Sequence, residues 1–207
     1  MPRHRTAIVC TSVALAASGT LIAGTAHAAN DAAKTTDSYA YQCKIKAGGF
    51  VIDPAKVKVT MSAKLPGSVD AGSTIGKRKV HVTLRMPEVI RDNAVSVLRA
   101  RKANGSARDA HVDVRIAKKT DQIPVKGLHA KKRRIPRKAG AVWNIHATGK
   151  VAAIKVPKNA SGKAKVSVPK RLRVKANLFR RNGSKIKASM ACKAPKDRAF
   201  DTIKITG

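Results

Sequence analysis

From Tyr39 onward, apolar and polar residues alternate along the chain with a period of two. Tyr39, Tyr41, Cys43 and Ile45 are separated by small or polar residues, and Val57, Val59, Met61, Ala63 and Leu65 by Lys58, Thr60, Ser62 and Lys64. Successive side chains of a strand point to opposite faces, so the pattern predicts half-buried antiparallel strands. It recurs at Val80, Val82, Leu84 and Met86; at Ala110, Val112, Val114 and Ile116; at Leu172, Val174, Ala176 and Leu178; and at Ile186, Ala188, Met190 and Cys192. Pro66-Gly67, Asn104-Gly105, Ser161-Gly162 and Asn182-Gly183 carry the residue types that turns require. The Asn-x-Ser triplets at Asn104, Asn159 and Asn182 are read as turns too, in preference to glycosylation sites.

One segment breaks the period. Between Pro87 and Arg101, Ile90, Ala94, Val97 and Leu98 recur at helical spacing after a Pro-Glu start, which predicts a short helical crossover. Glu88, the only glutamate, falls where a helix N-terminus favours negative charge. From Asp121 to Ala139 the pattern is mixed, and Pro124 and Pro136 point to edge strands or loops. No Gly/Ser/Pro-rich linker divides the chain. The expectation is all-β: one two-sheet antiparallel sandwich of eight to ten short strands over residues 39–207, behind a flexible lead-in at 29–38.

The N-terminus reads differently. Arg3 and Arg5 precede an apolar run from Ala7 to about Ala23 and the small-residue site Ala26-His27-Ala28, the layout of a secretory signal peptide over residues 1–28. Cys10 would leave with it, so Cys43 and Cys192 form an even pair in an exported chain, and a disulfide is expected. Both fall on the apolar parity of their strands, which turns both thiols toward one core.

Charge narrows the class of partner. The 207 residues hold 44 Lys and Arg against 11 Asp and Glu, a net charge of +33, and cleavage of the leader removes only two arginines. Three clusters stand out: Lys77-Arg78-Lys79; Lys131, Lys132, Arg133, Arg134, Arg137 and Lys138; and Lys170 to Arg181, in which Arg171, Arg173 and Lys175 take the solvent parity opposite Leu172 and Val174. Such a row spaces its cations ~7 Å apart, two strand rises, and attracts polyanions with an affinity that salt weakens. With aromatics at 3%, base stacking has little to build on.

The arrangement of Tyr41-Gln42-Cys43, the strand ending in Leu65-Pro66, the Val69-Asp70-Ala71-Gly72 step and the late Met190-Ala191-Cys192 resembles a family of secreted domains from high-GC Gram-positive bacteria. That family has no assigned function. The resemblance implies an immunoglobulin-like β-sandwich over residues 39–206 with one disulfide near its ends, Cys43 to Cys192 by position. The excess of Lys and Arg is not part of the family pattern.

Catalytic chemistry is sparse. His111 and Asp113 share the polar face of one strand, but a surface pair explains them as well as an oriented base does. No metal-site spacing and no phosphate-cradling glycine loop occur, and no cofactor is expected. Trp143, the only tryptophan, reads as a core residue. The expectation is therefore a secreted, monomeric, non-enzymatic domain held at the envelope or in the extracellular space by anionic polymers. Teichoic acids, acidic polysaccharide, extracellular DNA and anionic lipid headgroups are the candidates, through Lys131 to Lys138 and Arg171, Arg173 and Lys175. The rival is an adhesin-like protein-interaction module whose charge serves only solubility.

Overall fold

The computed structural model describes residues 32–207, so the expected leader lies outside the described residues. In chain order the strands are β1 (Ala33–Ala47), β2 (Phe50–Leu65), β3 (Ser68–Asp70), β4 (Thr74–Ile75) and β5 (Arg78–Met86). A short helix α1 (Glu88–Asp92) follows, then β6 (Ala100–Arg108), β7 (His111–Ile116), β8 (Lys119–Arg134), β9 (Trp143–Val151) and β10 (Ile154–Lys155). The last four are β11 (Gly162–Ser167), β12 (Arg171–Arg180), β13 (Lys185–Lys193) and β14 (Ala199–Thr206).

The all-β antiparallel architecture and its one short helical crossover agree with the sequence reading. The faces expected as two sheets are joined, however. Antiparallel pairing runs β8-β6-β12-β13-β1-β2-β5-β9 and returns from β9 to β8, closing an eight-strand ring. A flap of β7, β11, β14 and β3 grows from the start of β8. β8 makes both arrangements possible because it is long: residues 119–124 pair with β7, Val125 and Lys126 with β9, and residues 129–134 with β6, while His129 faces Ser106 and Thr148 on opposite edges. Its mixed pattern follows from that double membership, since successive stretches face different neighbours.

Gly149 fits the seam where the ring closes. A Cβ there would lie 2.9 Å from a Val125 methyl and 3.1 Å from the Leu128 Cα, so β9 approaches β8 at a distance only glycine allows. Asn104-Gly105, expected as a turn, lies inside β6, where Asn177 donates a side-chain hydrogen bond to Asn104 at 3.0 Å. A Cβ on Gly105 would stand 3.1 Å from the Lys175 carbonyl oxygen, so this glycine marks a close strand approach and no chain reversal. The expected flexible lead-in is also corrected: Ala33 to Ser38 pair with Leu65 to Thr60 as the first part of β1. Their small polar side chains form a strand edge because β2 is long enough to template them.

Cys43 and Cys192 face each other directly across β1 and β13 and form a disulfide, both buried, with Cα atoms 4.0 Å apart. Around them Tyr41, Val57 and Val59 are almost fully buried. Toward the far end of the ring, four inward positions on β1, β9, β12 and β13 are half-buried alanines, Ala47, Ala147, Ala176 and Ala188, set among larger buried residues such as Leu178 and Trp143. The crossover closes over this end, with Ile90, Ala94 and Leu98 buried at a spacing of four. That spacing suits the wide turn Asn93–Val97, where the Leu98 N–H bonds the Asn93 carbonyl five residues back. Val97, expected on the apolar face, is exposed as a result.

Candidate functional site

The alternation that buries Leu172 puts Arg171, Arg173 and Lys175 on the outside of β12, and all three are exposed as expected. Residues 131–134 are exposed on β8, and Arg137 and Lys138 on the loop after it. β6 lies between β8 and β12, so the two predicted clusters share one outer stretch of the ring. They occupy different ends of it. Arg173 and Lys175 sit opposite Arg108 and Ser106 of β6, whereas Arg133 and Arg134 sit opposite Ala103 and Lys102, which face Leu178 and Phe179. Four strand residues separate Lys175 from Phe179, ~13 Å. The Lys132 ammonium caps the Phe179 ring at 4.1 Å from its centroid.

The register adds cations that the sequence reading did not single out. Arg171 faces Lys193, Arg173 faces Arg108, and Lys102 faces Arg134, each directly across a strand pair. Lys44 and Lys46 continue the face onto β1, opposite Ala191 and Ser189. Their parity, opposite Cys43 and Ile45, was legible; their neighbours were not. β6, β12 and β13 lie side by side and contain no Asp or Glu. On the other side of the ring, Lys79, Lys150 and Lys126 form a second directly opposed row across β5, β9 and β8. The positive charge therefore occupies two faces, while the carboxylates fall mainly in the lead part of β1, β2, the first stretch of β8, the crossover, turns and the flap.

Like charges directly opposite one another destabilise a sheet. The ring carries several such pairs; β6, β12 and β13 hold no carboxylate of their own, and Asp109, just after β6, borders Arg108, Arg173 and Lys175 in a surface pocket. The one nearby ion pair, Lys44 with Asp53 at 2.9 Å, lies on the β1–β2 side and is half-exposed.

His111 and Asp113 are close, with Nε2 3.6 Å from Oδ1. The other Asp113 oxygen accepts from Arg198 Nη1 at 2.7 Å, and Arg198 also donates to the Val168 carbonyl. Asp113 thus ties the flap to the C-terminal segment. Tyr41, beneath it, donates its hydroxyl to the Pro169 carbonyl at 2.9 Å. Burial raises the Tyr41 pKa well above the usual tyrosine range, Arg198 pulls it down, and Asp113 pushes it up. Among the described residues no three His, Cys, Asp or Glu side chains gather as a metal site. Glu88 lies in the first turn of α1 and accepts from Arg91 at 2.8 Å and from the Gly140 N–H at 2.9 Å. The Arg91 side chain, 2% exposed, also pairs with Asp92 at 2.7 Å and donates to the Lys138 carbonyl. The basic loop is thereby anchored from beneath.

Behind the face of β6, β12 and β13 lies the ring's interior. A cavity of about 120 Å³ is walled by residues of all eight ring strands and roofed by Ile90, Ala94 and Leu98. Trp143 is part of its wall and is buried, as expected of a core residue. A wider cleft of about 830 Å³ borders it and holds Lys46, Lys175 and Lys187.

A disulfide fits an oxidising compartment. Among the described residues no helix is long and apolar enough to cross a membrane. No curated protein and no solved structure matches the chain. A family model described as a family of unknown function (DUF6801) matches residues 40–201, and the chain belongs to that family.

Proposed function

We propose that this is a secreted, non-enzymatic domain that associates through its cationic faces with anionic polymers of the cell envelope or extracellular space. The observation that carries the reading is the outer face of β6, β12 and β13, three strands without a carboxylate of their own, where Arg171 faces Lys193 and Arg173 faces Arg108. A polyanion laid along such a face gains counterion-release free energy and relieves repulsion that the fold otherwise sustains. Solubility alone calls for net charge with both signs interspersed, not for cations in register.

The test is retention of the oxidised protein on purified wall teichoic acid, with DNA and heparin in parallel, across a salt series and beside a charge-matched unrelated protein. Replacing Arg171, Arg173 and Lys175 by Ser should lower retention and, on DNA, reduce the salt slope by about three, while the melting temperature holds. Replacing Lys131 to Arg134 by Gln tests the other end of the face in the same way. Soluble polymer should also raise the melting temperature by mass action. Unchanged retention in both variants overturns the proposal. Saturable binding to a single protein that survives high salt would favour the adhesin-like module instead.

A further inference from the structure

Exposed apolar side chains on a folded domain are ordinarily scattered singly over its surface. Here five large ones are exposed among the described residues, Phe50, Val51, Val89, Val97 and Val142, and all five stand at the crossover end of the ring. Phe50 and Val51 lie on the β1–β2 hairpin just past Gly48, where a Cβ would stand 2.9 Å from a Leu98 methyl. Val97 precedes Leu98, so the hairpin tip and the end of the crossover are neighbours. Val89 belongs to α1 and Val142 to the loop before β9, two segments joined where the Gly140 N–H donates to Glu88 at 2.9 Å. The opposite end of the ring and the flap expose no large apolar side chain among the described residues.

Cations surround this end. Between the crossover and the β12–β13 turn lies a pocket of about 450 Å³, lined by Val97, Arg99, Arg101, Arg180, Arg181 and Asn182. Arg180 is fixed in it, its Nε donating to the Leu98 carbonyl at 3.0 Å. None of the four arginines pairs with a carboxylate among the described residues. The acids near this end are already engaged, Asp53 with Lys44, and Glu88 and Asp92 with Arg91. Guanidinium forks bind phosphate oxygens in pairs, and apolar side chains beside them gain by entering the headgroup boundary of a bilayer. A polyanion in water satisfies the arginines and leaves Phe50 and Val97 in solvent; a phospholipid surface satisfies both.

We infer that the crossover end of the ring docks on an anionic phospholipid membrane, with Phe50, Val51 and Val97 entering the interface and the arginine pocket taking a lipid phosphate. The polymer-binding face runs along the strands, so this surface is additional to it. The two readings rest on separate observations, and neither requires the other.

The test is sedimentation of the intact oxidised protein with vesicles of equimolar phosphatidylglycerol and phosphatidylcholine, beside vesicles of phosphatidylcholine alone. The protein should bind the mixed vesicles and stay bound at salt that releases it from DNA, because the apolar contribution is not screened. Val51→Ser with Val97→Ser removes two side chains that do not line the ring's interior and should weaken vesicle binding about tenfold, with retention on teichoic acid unchanged. If that variant does not fold, judged by its thermal transition, Val89→Ser with Val142→Ser serves in its place. Arg99→Gln with Arg101→Gln and Arg181→Gln should remove the preference for mixed over neutral vesicles. Replacing Arg171, Arg173 and Lys175 by Ser should lower retention on teichoic acid and leave vesicle binding within about twofold, since Lys175 stands ~13 Å along the strand from Phe179, beyond the ~8 Å Debye length at physiological salt. Vesicle binding as tight in a folded apolar variant as in the native protein overturns the inference, as does an absence of binding to mixed vesicles. Self-association of the native protein in solution that the apolar variant abolishes would assign this end to a second copy of the chain and overturn it too.

Discussion

The two halves of the ring are built from the same strands and packed in different ways. On β1 the inward residues run Tyr39, Tyr41, Cys43, Ile45 and Ala47, from two aromatics to a methyl group, and on β13 they run from Cys192 and Met190 through Ala188 to Ile186. A gap of about 30 Å³ lies between the flap and the β2, β5 and β9 ends at Leu65, Val80 and Val151, while the ring interior from Ile45, Leu172 and Met190 to the crossover holds about 120 Å³. Backbone pairing runs through both halves, with register shifts at Cys43/Ile45 on β1, Ala103/Gly105 on β6, Lys126/His129 on β8 and Phe179/Arg180 on β12. Side-chain volume at inward positions and the local ladder irregularities together set how much space a closed ring encloses.

Changes to the packed half and to the seam should be the most damaging. Cys43→Ala with Cys192→Ala removes a bridge spanning 149 residues of sequence and should cost ~2–5 kcal/mol, lowering the melting temperature by roughly 10 °C. A double variant that melts with the native protein would mean that packing around Tyr41 and Val57 holds this half without the bridge. Gly149→Val drives a side chain into Val125 and Leu128 and should cost about 3 kcal/mol, opening the β8–β9 seam. Amide exchange at Val125 and Val151 should quicken in that variant before the rest of the ring does.

The crossover that roofs the hollow half gives an intermediate effect. Arg91→Met leaves the Lys138 carbonyl without its donor, while Glu88 and Asp92 are over half exposed and lose little. A loss of about 2 kcal/mol is expected, measured by denaturant unfolding. Filling the hollow half should act in the opposite direction. Ala188→Leu should stabilise the domain by about 1 kcal/mol, since the space already exists; a destabilised variant would show that the interior is not large enough to receive it.

The smallest effect appears only at alkaline pH. Burial keeps the Tyr41 hydroxyl protonated, so its folded pKa lies above the unfolded value. A raised pKa contributes stability that is fully present below the unfolded pKa, ~10, and is lost as pH rises toward the folded value. Native protein should therefore lose stability above pH ~10 more steeply than Tyr41→Phe, and parallel pH profiles for the two would contradict the assignment.

Much of this architecture was legible residue by residue. Alternation placed Cys43 and Cys192 inward and Arg171, Arg173 and Lys175 outward, because strand parity is a property of adjacent residues. The crossover at Glu88 was legible from Pro87 and the apolar spacing, and Asn182-Gly183 does turn β12 into β13. Other positions carried no local signal. Asn104-Gly105 has the composition of a hairpin turn and lies in a strand, since what constrains Gly105 is a carbonyl seventy residues away. Pro136 lies in a loop, as one of the two expectations had it, but Pro124, expected in an edge strand or loop, lies in β8, which joins the flap to the ring.

By itself, then, the sequence determined that the chain is a β protein with a cross-linked interior and a cationic exterior: each of these follows from periodicity or composition. Only the tertiary structure decided that the ladder closes on itself, that Arg173 meets Arg108, and that four scattered alanines surround one cavity. Those are pairings between distant segments, and an alanine reads the same in sequence whether a neighbour fills the space beside it or nothing does.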